Sequence, residues 1–161
     1  ANGQSPVAGQ VDATTPWQLL VSAVDGVGNT TVPVASSAFG ARVAQENDSS
    51  VTYAGTWKVA ANSSASGGAT RFATASGATA TFKFTGRAVA WVAPLGVNSG
   101  KAKVLVDGVL VATVDLGNAA RARVLVFSKS WAVARAHTLR VKVLGTSGRP
   151  RVDVDGFVVL N

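Results

Sequence analysis

The stretch Lys101–Asp115 reads KAKVLVDGVLVATVD. Apolar residues alternate with Lys, Thr and Asp on either side of Asp107-Gly108. Alternation with a period of two is the signature of a half-buried strand. An Asp-Gly pair between two such runs suits a two-residue type I′ turn, which needs positive φ at both central positions. That turn pairs Val106 with Val109 and Val104 with Val111, and sets these four on one face, the expected core face. Lys103, Leu105, Leu110 and Val114 take the other.

The same pattern recurs outward from this hairpin. In Thr79–Thr85, Ala80, Phe82 and Phe84 alternate with Thr and Lys. Arg87–Ala93 and Ala122–Ser128 are further strand candidates. A second hairpin is expected to join His137–Leu144 to Arg151–Val159 around Gly145–Pro150. Its core face carries Leu139, Val141, Val143, Val152 and Val154, and its outer face sets Arg140 and Lys142 against Asp155 and Asp153. Ala60–Gly68, rich in Ser, Ala, Asn and Gly, reads as a loop. Trp17–Asp25 and Thr30–Ala35 read as strands around a turn at Gly26–Asn29, and Ala1–Thr15 has no clear pattern. No amphipathic helix longer than two turns is found. Many short strands with Gly-rich turns indicate an all-β sandwich or barrel.

Composition narrows the chemistry. The 161 residues contain no Cys and one His, so thiol catalysis, zinc fingers, iron–sulfur clusters and Cys/His zinc sites are excluded. Apolar residues make up 47%, which argues against disorder over the whole chain. No apolar run approaches the ~18–20 residues of a membrane span, so no membrane insertion is expected. With no initiator Met and no signal peptide, the chain reads as a processed or excised fragment. The net charge is +7, and Arg121–Asn161 alone holds eight Lys/Arg against two Asp, a difference of +6. Such a balance favours an acidic polysaccharide. Its basic residues are interleaved with Ala and Val rather than aromatics, so nucleic acid is not expected.

Several segments in a fixed order carry a family likeness. They are Ser50–Trp57 (SVTYAGTW), Ala78–Gly86 (ATATFKFTG), Val89–Pro94 (VAWVAP), Gly100–Leu116, His137–Val141 (HTLRV) and Val152–Phe157 (VDVDGF). This series resembles the galactose-binding-like jelly-roll domains of secreted bacterial glycoside hydrolases and other extracellular proteins. The segment Trp17–Thr30 is similar to the last strands of a fibronectin type III or bacterial Ig-like domain. The resemblance implies an antiparallel jelly-roll β-sandwich over residues 39–161, preceded at 1–38 by a module tail or linker with two strands. It also implies a carbohydrate-binding role without catalysis, at a bacterial cell surface or in the extracellular medium. Such a module would tether a larger modular protein to a glycan. The alternative is a structural or adhesive spacer with no small ligand.

A sugar site needs flat aromatic rings for the apolar face of a pyranose, and polar neighbours for its hydroxyls. Tyr53, Trp57, Trp91 and Trp131 are the aromatic candidates, weighed against plain core packing. Asn98 and Lys101, in and after the loop that follows Trp91, supply polar contacts. Arg71 supplies a planar fork suited to paired hydrogen bonds. His137 lacks a nucleophile context and is expected to make a structural hydrogen bond. No pair of acids stands out for glycoside hydrolysis, so the chain is not expected to be an enzyme. Sugar-binding jelly rolls often place their first and last strands side by side around a structural calcium, which would draw on Glu46, Asp48, Asp153 and Asp155.

Overall fold

The computed structural model describes residues 16, 18, 20–24, 26–35 and 38–161. The reading of residues 1–15, and that of Trp17, lie outside these residues. Two compact units divide the chain, Ala1–Arg42 and Val43–Asn161. In the first, β1 (Leu20–Val21) pairs antiparallel with β2 (Val34–Ala35), and Val24 bridges Thr30.

The second unit is built from strands. These are β3 (Ala41–Gln45, which begins just before it), β4 (Val51–Ala54), β5 (Lys58–Ala61), β6 (Ala69–Ala73), β7 (Thr79–Leu95), β8 (Lys101–Val106), β9 (Val109–Asp115), β10 (Arg121–Val143), β11 (Val152–Val154) and β12 (Gly156–Leu160). One sheet runs β3-β12-β7-β10-β8-β9, with β4 also paired to β7; the other runs β11-β6-β5. The long strand β7 is the spine. β10 borders one edge, while β4 and then β12 share the other. All of these pairings are antiparallel, and the two sheets make a jelly-roll β-sandwich.

Alternation explains the core, and β7 changes phase once. Ala80, Phe82 and Phe84 point inward in its first half; Val89, Trp91 and Ala93 do so in its second. Phe82 stacks on Phe157 of β12, with centroids 4.7 Å apart and planes 7° from parallel. Leu139, Val141 and Val143 of β10 and Val152 and Val154 of β11 are fully buried with them. Each such side chain contributes roughly 1.5–3 kcal/mol of apolar burial. The phase change falls at Gly86. A Cβ there would lie 2.5 Å from Val159 Cγ1 and 2.6 Å from the Leu160 carbonyl oxygen. Only glycine lets the end of β12 cross so close.

The Asp107-Gly108 turn forms as expected, with φ of 52° and 82°. Its flanking register differs. Val106 pairs with Val109, but Val104 pairs with Ala112 because Val111 is an extra residue in β9. The bulge turns Ala112 and Val114 toward the core and leaves Val109 (65% exposed), Leu110 and Val111 outside. The alternation seen in sequence is correct for β8 and reversed for part of β9, because one inserted residue flips every side chain beyond it.

The second expected hairpin does not form. β10 pairs with β7 and β8, β11 pairs with β6, and β12 pairs with β7. Residues 145–150 cross from one sheet to the other, so two apolar strand faces that look like partners in sequence meet across the core instead. Asp153 therefore never faces Lys142. Its carboxylate takes Arg151 Nε at 2.8 Å and Nη2 at 2.6 Å, and the Thr70 hydroxyl at 3.0 Å. Asp155 is fully buried, accepts the Ser66 N–H at 2.9 Å, and keeps Oδ2 without a hydrogen-bond partner.

Two outcomes follow from this packing. Gly86→Ala should lower the unfolding free energy by about 1–3 kcal/mol, the usual cost of overpacking, read by urea denaturation. Wild-type stability there would mean that β12 can shift. For Asp155, desolvation raises the carboxyl pKa; Glu46 and Asp153 add to that, while Ser66 and Arg123 oppose it. A raised folded pKa means that the folded state binds the proton more tightly. The stability it contributes is present at low pH and lost as pH rises through the folded pKa. Asp155→Asn removes that loss. The Tm difference, variant minus wild type, should therefore grow from about pH 4 to about pH 7. A constant difference would show that Asp155 does not titrate differently on folding.

Candidate functional site

β4 and β6 bring three of the expected ligand-contact residues together. Tyr53, on the inward side of β4, sets its ring 5.0 Å from that of Trp57, tilted by 57°. The Arg71 guanidinium, from the middle of β6, lies 4.9 Å from the Tyr53 ring centre. Tyr53 donates its hydroxyl to the Glu46 carbonyl at 2.7 Å, and Trp57 Nε1 donates to the Ala54 carbonyl at 3.2 Å. Burial pushes the Tyr53 phenol well above its usual range; Arg71 opposes this and Glu46 adds to it. The hydroxyl therefore stays a donor. All three side chains are half-buried, and Arg71 Nε is enclosed with no hydrogen-bond partner. Val59, opposite Arg71 on β5, is 61% exposed and leaves that edge open.

Trp131 belongs to a separate cluster on β10. The strand is interrupted there by a bulge. Ser130 pairs with Ala88 and Arg135 with Gly86, so residues 131–134 stand opposite Arg87 alone. The indole is half-buried and stacks on His137, centroids 3.9 Å apart and 14° from parallel, with Phe84 at 6.1 Å. Lys129 Nζ lies 5.7 Å from the indole centre. His137 makes the structural hydrogen bond expected of it, Nδ1 to Asp107 Oδ2 at 2.7 Å. The other carboxylate oxygen accepts the Thr138 N–H at 2.8 Å. Desolvation works against the Asp107 charge, but the Thr138 and His137 hydrogen bonds outweigh it and hold the carboxyl below its usual range.

The remaining expected residues do not join either cluster. Trp91 is fully buried in the core, with no face to offer a ligand. Asn98 is exposed on the loop after β7. Lys101 is 3.6 Å from Asp115, a carboxylate that Arg149 also grips. That pairing keeps the Asp115 carboxyl well below its usual range, with Arg149 the chief cause. The four acids expected around calcium are also dispersed in use. β3 and β12 do lie side by side, and the Glu46 N–H donates to the Asp155 carbonyl at 3.2 Å. Asp48, however, accepts from the Ser50 N–H and hydroxyl, and Asp153 is taken by Arg151 and Thr70. Only Glu46 and Asp155 remain, and among the described residues no group of three or more His, Asp or Glu side chains is set to hold a metal.

Two shallow grooves lie on the surface of the second unit. One, of about 340 Å³, is lined by Asn62, Ser64, Leu95 and Arg121; the other, of about 330 Å³, is a largely apolar strip along Ala88, Ala90, Val158 and Leu160. The sequence reading missed Asp107 and Phe84 as supports of Trp131. The available signal was the hairpin itself, whose turn residue faces the start of the His-Thr segment once β8 and β10 pair.

No family model matches the chain. Two curated proteins of Flavonifractor plautii are similar to it. One, an A type blood alpha-D-galactosamine galactosaminidase, is 34% identical over 74% of this chain and 11% of its own length. The other, an A type blood N-acetyl-alpha-D-galactosamine deacetylase, is 34% identical over 70% of this chain and 14% of its own length. The chain thus spans a small part of either. Both are named as enzymes, a finding that overturns the expectation that the chain is not an enzyme. Among the described residues no helix is long and apolar enough to cross a membrane. Among solved structures, a family two carbohydrate esterase from Cellvibrio japonicus matches with a TM-score of 0.57 at 13% identity, over 76% of this chain and 34% of that one. The CBM36-1 domain of a multidomain xylanase, from the hindgut metagenome of Trinervitermes trinervoides, matches with a TM-score of 0.54 at 11% identity. That match covers 76% of this chain and 97% of the domain. The chain therefore shares the antiparallel jelly-roll β-sandwich fold of these structures, the fold that its motif order implies.

Proposed function

We propose that the chain is the glycan-engaging module of a secreted carbohydrate-active enzyme, and that it holds the rest of that enzyme on its glycan. Residues 39–161 form the module in this reading, and residues 1–38 are the tail of a fibronectin III or Ig-like neighbour. The observation that carries it is the Tyr53–Trp57–Arg71 cluster. Two tilted aromatic rings there sit beside a guanidinium whose Nε has no protein partner. An enclosed donor left unpaired costs free energy, and the Arg71 side chain recovers it by turning outward to a ligand oxygen. Aromatic faces give a pyranose its apolar contact, and the Arg fork fixes its orientation. The enzymes among its relatives support a sugar as the ligand, and their names make terminal galactosamine and N-acetylgalactosamine the first to try.

The test is a glycan array that includes the A-type blood oligosaccharide, followed by calorimetric titration of Trp57→Ala and Arg71→Ala. Each should bind roughly tenfold or more weakly, in keeping with the loss of one stacking or charge-assisted contact, while Tm stays near that of the wild type. Full binding by both variants would remove this cluster from the ligand site.

A further inference from the structure

The Trp131 cluster is a second aromatic surface with its own supports. On β7, Tyr53 stands opposite Ala80 and His137 opposite Phe84, so the two clusters are about 13 Å apart along that strand. Four residues where the partner strand has one lift the indole out of the sheet register. The ring is then fixed from behind. His137 stacks on it, Phe84 closes from the side, and the Asp107 carboxylate clamps His137 through Nδ1 and the neighbouring backbone N–H. The His137 side chain is 9% exposed, so the stack is a rigid wall. Val133, in the same bulge, is 58% exposed and extends the apolar surface.

The strand that carries the indole bears charge of one sign, and the carboxylate beside it, Asp107, is engaged by His137 and the Thr138 N–H. From Arg121 to Val143, β10 carries six Lys/Arg and no Asp or Glu. Lys129 is the one whose ammonium reaches the Trp131 ring. A stacked platform with an ammonium at its edge matches a ring that bears an anion on its rim.

We propose that Trp131 and Lys129 form a second glycan-contact site, for a pyranose carrying a carboxylate, such as a uronic acid. The sugar ring lies on the indole and Lys129 swings from the ring to the carboxylate. This rests on the glycan-binding reading of the module but uses none of the residues of the first site.

The experiment titrates oligogalacturonate, and its neutral methyl ester, into five proteins. These are the wild type, Trp131→Ala, Trp131→Phe, Lys129→Gln and the double variant Trp57→Ala/Arg71→Ala. Calorimetry gives Kd, and Tm monitors folding. Trp131→Ala should weaken oligogalacturonate binding roughly tenfold and Trp131→Phe by less, because a smaller ring still stacks. Lys129→Gln should weaken the acid several-fold and leave the ester unchanged, while the double variant keeps wild-type affinity for the acid. Should Trp131→Ala unfold, Trp131→Phe and Lys129→Gln carry the same comparison. Wild-type affinity in both Trp131→Phe and Lys129→Gln would overturn the site. Loss of binding in the double variant alone would assign the acid to Tyr53, Trp57 and Arg71, overturning the second site while the first stands. Equal competition by an oligothymidylate of matched charge would overturn the sugar assignment. A wild type that binds the A-type oligosaccharide but not oligogalacturonate would sink this inference alone.

Discussion

At Gly86 the end of β12 presses against the backbone of β7 so closely that a single carbon would collide with Val159 and with the Leu160 carbonyl. The rest of the sandwich follows from that crossing. β7 can exchange one neighbour for another along the same edge only if the two do not compete for space, and the crossing marks where β12 gives way to β4. The inward set of β7 changes there from even to odd positions. β10, paired along the whole of the other edge, takes up the mismatch with four unpaired residues. The most distinctive surface of the molecule, the lifted Trp131, is thus a by-product of close packing on the opposite edge of the same strand.

Electrostatics divides the two sheets. In the small sheet, Asp153 is neutralised locally by Arg151, which also lies 3.9 Å over the Phe72 ring. Asp155 has only a backbone N–H and keeps one oxygen unmatched. In the large sheet the cations of β10 have few acids to meet, and the Asp107 and Asp115 carboxylates come from outside that strand. Among the described residues, Asp48, Asp107, Asp115 and Asp153 are committed to partners within the chain, while most cations of β10 face outward. That arrangement leaves anions as the natural visitors to its surface.

The reach of the sequence can be judged residue by residue. Alternation located the inward residues of the first half of β7, of β8, of the end of β10 and of β11 correctly, because burial of one face is a local property of a strand. It failed where a neighbour decides the outcome. Val111 is an ordinary strand residue until its bulge reverses the face of everything after it in β9. Leu139–Val143 and Val152–Val154 look like two sides of a hairpin, yet they meet across the core, since nothing local distinguishes pairing within a sheet from packing between sheets. The same limit applies to the site. Tyr53, Trp57 and Arg71 were legible as residue types, and the fold joins them. Trp91 has the same chemistry and is entirely enclosed. Asp48 and Asp153 carry the charge that a calcium site wants but find closer partners in Ser50 and Arg151.

The bulge in β10 has a consequence for how such a surface changes over time. Pairing is in register on both sides of residues 131–134, at Ser130 and again at Arg135. Residues gained or lost between those points leave the inside-outside order of the flanking strand untouched. Length, ring type and charge at this one place can therefore drift independently of the core. Modules with the same packed interior can come to recognise different ligands through changes to a segment that the fold barely constrains.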